Sequence, residues 1–272
     1  MNILFRLTVC LFLFFSIFRV QAAWAEVVSP DMEKIIKRGK LIVAIMGSRD
    51  VYPFFMRTKQ GIYTGFDIDM AKDIANRLGV GIEFNHKAKT FDEVVEVVAR
   101  KEADMAISDL TATLERAGKV SFTRPYLKLG TFVLVNRKKI ARYGDVSTHS
   151  ILNRGGVTIT VEGGTSYVYF AEKEFPLATV VTHRDREKAL QSVLNGEVFG
   201  LFEGEDIIKG LYHERSQIFL YLDYLKVEGL EDHIAIAVPW DSVHLLSWLN
   251  LYLKTVKSEI TIDEILNKYP LE

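Results

Sequence analysis

Between residues 40 and 107 short apolar runs alternate with helical patterns, and no other feature of the chain narrows its fold as far. Lys40–Met46 (Lys-Leu-Ile-Val-Ala-Ile-Met) reads as a buried strand that Gly47 ends. Met70, Ile74 and Leu78 then recur at a spacing of four. That predicts a helix over 70–78, with Asp69 as its N-cap and Gly79 as its C′ residue. Residues 80–84 predict the next strand. Thr90 caps a helix over 91–101 with Val94, Val95 and Val98 on one face, and a third strand follows at 105–107. Parallel neighbours need a long crossover, usually helical, so this order predicts a mostly parallel sheet flanked by helices.

The second half repeats the scheme. A strand over 157–161 runs into Glu162-Gly163-Gly164-Thr165-Ser166 and a helix over 167–173, then a strand over 179–183. A helix over 185–195, closed by Gly196, leads to a strand over 199–202 that ends in Glu203-Gly204-Glu205-Asp206. This helix–strand pair mirrors the earlier one at an offset of 95: Val95 matches Leu190, Val98 matches Val193, Ile107 matches Phe202 and Ser108 matches Glu203. The chain thus reads as two α/β lobes. A helix over 30–40 opens the first, and 130–136 is another strand. Residues 218–230 read as irregular, 233–238 as a buried strand, and 243–254 and 261–269 as closing helices.

In open α/β sheets ligands sit beyond the carboxyl ends of the strands. In 104–126 the strand end turns hydroxyl-rich at Ser108, Thr111 and Thr113, and Arg116 follows. A hydroxylated helix start favours an anion, and an arginine can grip a carboxylate with two parallel hydrogen bonds. This stretch is therefore expected to hold the carboxylate end of a small molecule. Gly163-Gly164-Thr165-Ser166 offers either a second anion cradle or an ordinary capped turn. The loop aromatics Tyr52, Phe54 and Phe55 either stack on a ligand or pack the top of the core. Asp67 and Asp69 resemble a metal-binding pair but are read as capping and turn residues, since no further ligand-spaced carboxylates follow.

Other chemistries find no support. The formal net charge is −1, and no basic cluster marks a nucleic-acid or membrane surface. The six histidines are scattered with none paired at i,i+4, and the P-loop, dinucleotide and serine-elbow motifs are missing. Residues 1–25 have the three parts of a cleavable secretory signal, ending at Ala23-Trp24-Ala25. The apolar run over 7–18 is short of the roughly 20 residues that span a bilayer. Cleavage removes Arg6 and Arg19, so the charge of −1 becomes −3. It also removes Cys10, the only cysteine; Cys10 sits too early in the apolar run, behind too large a residue, for lipid attachment. A disulfide-free exported protein fits a bacterial periplasm.

Several short motifs, in order and spacing, resemble the periplasmic amino-acid-binding proteins of ABC importers, bacterial solute-binding protein family 3. They are Arg38-Gly39-Lys40-Leu41-Ile42-Val43-Ala44, the Tyr52-Pro53-Phe54 loop, Gly65-Phe66-Asp67-Ile68-Asp69-Met70-Ala71 and Ala103-Asp104-Met105-Ala106-Ile107-Ser108. Thr111-Ala112-Thr113-Leu114-Glu115-Arg116 and Phe122-Thr123-Arg124-Pro125-Tyr126 follow, then Gly164-Thr165-Ser166 and 263–269. The resemblance covers nearly all of 30–272. It implies an α/β, two-lobed periplasmic-binding-protein fold of type II, with each lobe a mostly parallel sheet flanked by helices and two hinge crossovers between them. The implied division is a signal peptide at 1–25, lobe 1 at 26–128 plus 227–272, and lobe 2 at 129–226. The implied function is capture of a small carboxylate-bearing ligand, an amino acid, by a monomer that serves an ABC permease of the inner membrane, with no cofactor, metal or catalysis.

Carried over by position, Arg116 would pair with the ligand carboxylate, helped by Thr111 and Ser166, and Ser108 would contact the amino group. Phe91 and Tyr52 or Phe54 would face or stack on the side chain, and Thr165 would shape the cradle of the second lobe. One departure stands out. The family usually places an ammonium-binding aspartate where this chain has Gly204, and Asp109 occupies a position that is commonly small or hydroxylated. The acid is then expected from Glu203, Glu205 or Asp109, unless the ligand lacks a standard α-amino group. Two other functions stay open. A cyclohexadienyl or arogenate dehydratase resembles these receptors, but its glutamate is expected near 207, where Ile207 stands. A ligand sensor for a signalling partner is the other.

Overall fold

The computed structural model describes residues 29–144, 146–255 and 260–270, so the secretory signal expected at 1–25, with Cys10, lies outside the described residues. The chain opens with α1 (Pro30–Arg38) and β1 (Lys40–Met46), then a small hairpin of β2 (Met56–Arg57) and β3 (Tyr63–Thr64). It continues through α2 (Phe66–Arg77), β4 (Gly81–Ala88), α3 (Phe91–Ala99), β5 (Met105–Ala106), α4 (Leu114–Ala117) and β6 (Val120–Phe122). Next come β7 (Leu127–Asn136), α5 (Arg137–Ile140), α6 (Thr148–Leu152), β8 (Thr158–Glu162), α7 (Tyr167–Glu174) and β9 (Thr179–His183). The last part is α8 (Arg186–Leu194), β10 (Gly200–Gly204), α9 (Glu205–Arg215), a 3-10 turn (Ser216–Leu220), β11 (Leu222–Ile234), β12 (Ala237–Pro239), α10 (Val243–Thr255) and α11 (Ile262–Lys268).

Two five-stranded sheets result, in the orders β4-β1-β5-β12-β6 and β9-β8-β10-β7-β11. They share one plan. Three strands run parallel, and the remaining two are antiparallel to their neighbours. Each sheet is thus mixed but mostly parallel, with four strands running one way and one, β12 or β7, running against them. The reason lies in the connections: β7 enters the second sheet directly from the first, and β12 returns directly from the second, so neither is turned round by a helical crossover. The offset of 95 reappears in the helices, since α3 and α8 occupy corresponding residues with Val95, Val98, Leu190 and Val193 all buried.

β7 and β11 form a long antiparallel pair with a register shift between Lys226 and Glu231. Leu127, Leu129 and Ile234 at one end of the pair pack into the first core, and Val133, Val135 and Val227 at the other pack into the second. These two strands carry the chain between the lobes. The stretch read as irregular is largely β11. It is an edge strand in which only four of the thirteen residues are buried, so no apolar alternation announces it. α9 was equally unannounced, and the run expected as one strand over 233–238 is divided between the end of β11 and β12.

α2 begins at Phe66 behind Gly65, so Asp69 is not its N-cap. Asp67 is drawn inside the first turn, where its carboxylate accepts from the Asp109 N–H (2.6 Å) and the Tyr126 hydroxyl (2.9 Å). Asp69 stays on the surface and accepts from the Tyr269 hydroxyl at 2.7 Å. Among the described residues no helix is long and apolar enough to cross a membrane.

Candidate functional site

The segments that follow β5, β8 and β10 meet β11 around one cavity of about 30 Å3, roughly the space of one water molecule. Arg116 anchors its first-lobe wall. Thr113 caps α4 by accepting from the Arg116 N–H (3.1 Å), which fixes the backbone under the guanidinium. Nε and Nη2 then donate to Asp92 Oδ1 (3.1 and 2.9 Å), and Nη1 donates to the Thr111 carbonyl (3.0 Å). The arginine is buried while Asp92 is largely exposed, so the pair sits at the rim. The Thr111 hydroxyl donates to Asp232 Oδ2 (3.1 Å) and accepts from the Ser166 hydroxyl (2.8 Å), a bond that joins the lobes.

Asp109 has a left-handed backbone (φ 48), a conformation that aspartate tolerates better than most residues. Its N–H is held by Asp67, and its Oδ1 is buried without a partner. On the same lining Asp206 lies in the first turn of α9, 3% exposed, and Asp232 lies on β11, 1% exposed; each also has an Oδ1 without a partner. Gly204 makes room for this arrangement. A Cβ there would collide with the Tyr167 hydroxyl and the Asp206 carboxylate. Behind them Arg186 donates to Glu203 (3.1 Å) and pairs with Glu162 (3.2 Å). Glu162 also pairs with Arg49 of the first lobe at 2.8 Å. Gly164 (φ 81) closes the opposite rim, where a Cβ would press on the Thr90 side chain at 3.3 Å.

Enclosure governs the protons. Burial pushes Asp67 up to about 7, against the Asp109 N–H and Tyr126 hydroxyl that favour its charged form. Burial likewise raises Asp232 to about 6, with the Tyr167 and Thr111 hydroxyls and Arg116 pulling the other way. Asp109 is raised well above its ordinary value by burial and then by the charges of Asp206, Asp67 and Asp232. Asp206 is raised by burial, against the attraction of Arg186. Glu203 is raised by burial too, and Arg186 again opposes it.

The cavity brings together seven of the residues expected from the sequence: Phe91, Asp109, Thr111, Arg116, Thr165, Ser166 and Glu203. Four others lie elsewhere. Ser108 is fully buried and accepts from the Met46 N–H at 3.0 Å, splicing β1 to the end of β5. Phe54 is fully buried in the first core, so the apolar side chain serves packing. Tyr52 packs against that core, outside the cavity lining. Glu205 turns toward β7, pairing with Lys209 (2.8 Å) and accepting from the Gly130 N–H (3.0 Å). Sequence reasoning missed Asp206, Asp232, Tyr167 and Arg186, along with the apolar Val51 and Ile207. Asp206 was within reach, as the last acid of the run that ends β10. Asp232 had no local signal, because it lies on the strand that read as irregular.

Residues 43–272 match the model of the family described as bacterial extracellular solute-binding proteins, family 3. The chain is 30% identical over 166 residues to the cyclohexadienyl dehydratase of Pseudomonas aeruginosa, covering 61% of this chain and 59% of that protein, less than two thirds of its length. It is 28% identical over 240 residues to the ABC transporter glutamine-binding protein of Bacillus subtilis, covering 88% of this chain and 82% of that one. Among solved structures it resembles an ancestral amino-acid-binding protein described as a precursor of cyclohexadienyl dehydratase. The TM-score is 0.70 at 28% identity, covering 88% of this chain and 98% of that one.

Proposed function

The chain belongs to the bacterial extracellular solute-binding proteins, family 3, and we propose that it captures an amino acid between its two lobes and delivers it to an ABC-type permease. The carrying observation is the make-up of the cavity lining: a buried arginine and hydroxyls together with carboxylates whose oxygens include unpartnered ones. Three of the five N–H donors of Arg116 are committed to Asp92 and Thr111, which leaves two for a ligand carboxylate, flanked by Thr111 and Ser166. Asp232 is the acid bonded to Thr111, so it stands where the neighbouring α-ammonium would fall. Phe91, Val51 and Ile207 supply the apolar wall.

The Ser166–Thr111 bond and the Arg49–Glu162 pair hold the lobes together around a cavity far smaller than an amino acid. The ligand therefore enters with the lobes apart and, once bound, holds them wider than they stand here, with β7 and β11 as the hinge. Ligand contacts from both lobes then favour the closed form, because only that form makes them all. The secretory signal read from the sequence over 1–25 supports a periplasmic location for the mature protein. Thermal unfolding with a panel of amino acids tests the reading. At least one should raise the melting temperature in a saturable way; a panel without effect would rule it out.

A second reading is catalysis, favoured by the likeness to a dehydratase and by the raised Asp206 acid in the same cavity as Arg116. A carboxyl that keeps its proton can give it to a departing hydroxide. On a substrate such as prephenate the C–O bond would break, the hydroxyl would leave as water, and loss of carbon dioxide would return its bonding electrons to the ring. Incubation with prephenate or arogenate distinguishes the two: the receptor reading predicts no aromatic product.

A further inference from the structure

We propose that Asp109 and Asp206, one from each lobe, form a second cation subsite, so that the bound amino acid carries an ammonium or guanidinium group at the end of its side chain. The inference rests on the amino-acid-binding reading above and adds the ligand class. An ordinary zwitterion brings one cation, and Asp232 is placed to take it. Glu203 is already matched by Arg186 at 3.1 Å. Asp109 and Asp206 remain, and each buries an Oδ1 atom that no group of the protein satisfies. Buried polar atoms are nearly always paired, so two such atoms in one cavity mark places where a ligand completes the bonding.

Both carboxylates are held in place by unusual local structure. The Asp109 backbone is fixed in the left-handed region by the bond from its N–H to Asp67. Asp206 fits beside Tyr167 only because residue 204 has no side chain. The apolar Val51, Phe91 and Ile207 on the same lining suit an alkyl stem. A bare metal ion fits less well, since no group of three or more His, Cys, Asp or Glu among the described residues is arranged to hold one. A cation between the two lobes is gripped from both sides only in the closed form, so it would couple side-chain recognition to closure.

The surrounding charges agree. Asp109 faces Asp206, Asp67 and Asp232, with Arg186 the opposing cation. Asp206 faces Glu203 and Asp232, again against Arg186. Without a ligand, burial and mutual repulsion favour the protonated carboxyls. A ligand cation favours the charged forms, so binding expels protons and tightens as pH rises.

Calorimetry with L-lysine, L-arginine, L-glutamine and L-norleucine tests this on the wild type, Asp109→Asn and Asp206→Asn. Lysine or arginine should bind at least about 100-fold more tightly than norleucine, and each variant should lose about tenfold or more on the cationic ligand while norleucine changes little. Titrations in buffers of different ionisation enthalpy should show proton release that shrinks in Asp206→Asn. Equal wild-type affinity for norleucine or glutamine, or unchanged lysine binding in both variants, would overturn the cation subsite and leave the receptor reading standing. If no amino acid binds the wild type, the receptor reading fails and takes this inference with it.

Discussion

Asp232 shows how a single enclosed carboxyl sets both the chemistry and the stability of the cleft. Its acidity is shifted from an ordinary 3.8 to about 6 by burial. At low pH the acid is protonated in both the folded and the unfolded chain, and its favourable contribution is complete. Between about pH 4 and 6 the unfolded chain ionises first, so stability is lost as pH rises, by about 3 kcal/mol for a shift of this size. Asp67, shifted to about 7, adds a loss of the same sign over a window that extends to neutral pH. The ligand-free protein should therefore melt at a lower temperature at pH 7 than at pH 5, and Asp232→Asn should flatten that slope. A melting temperature that rose over the same interval would contradict the assignment. Gly204 gives a second prediction at this scale. Gly204→Ala places a methyl group against the Tyr167 hydroxyl and Asp206. It should cost about 1–3 kcal/mol of stability and weaken ligand binding, as denaturant unfolding and calorimetry would measure. Arg116 and Thr111 were legible in the sequence because hydroxyls and an arginine after a strand end have few other uses. Ser108 and Phe54 look alike in sequence whether they face a ligand or the core, and only packing distinguishes them.

At the scale of elements, strong periodicity was readable and edges were not. α3 and α8 follow from their apolar faces and from the caps at Thr90 and Asp185, both of which accept a backbone N–H. β11 was hidden because an edge strand buries only part of one face, and with it Asp232 was hidden as well. The one reversed strand in each sheet, β12 or β7, was also beyond local pattern, since direction depends on which lobe a strand enters from. The docking of α10 on α1 offers a test. Asp31 accepts from the His244 and Leu245 N–H groups, each at 2.9 Å, at the start of α10. Against burial, which pushes it up, the Ser29 hydroxyl and then the Leu245 and Met32 N–H groups hold Asp31 below its usual value. Asp31→Ala should cost about 1–2 kcal/mol, the worth of a helix cap, and the loss should appear in urea unfolding without any change in ligand affinity.

For the whole molecule, two lobes were foreseeable from the repeat of one strand–helix plan at an offset of 95, which the two sheet orders reproduce. How tightly the lobes meet was not foreseeable, because it depends on contacts between residues far apart in the chain, such as Arg49 with Glu162 and Ser166 with Thr111. Those contacts draw the two lobes together around a polar space lined by Arg116, Asp109, Asp206 and Asp232. The central claim is that this space holds an amino acid by its carboxylate at Arg116. Titration calorimetry on the wild type and Arg116→Ala tests it most directly. The removed side chain leaves its ion-pair partner Asp92 largely exposed. The wild type should bind one equivalent of an amino acid, and the variant should lose about 2–5 kcal/mol of binding energy while keeping its circular dichroism spectrum. An Arg116→Ala protein that binds the same amino acid as tightly as the wild type would contradict the account.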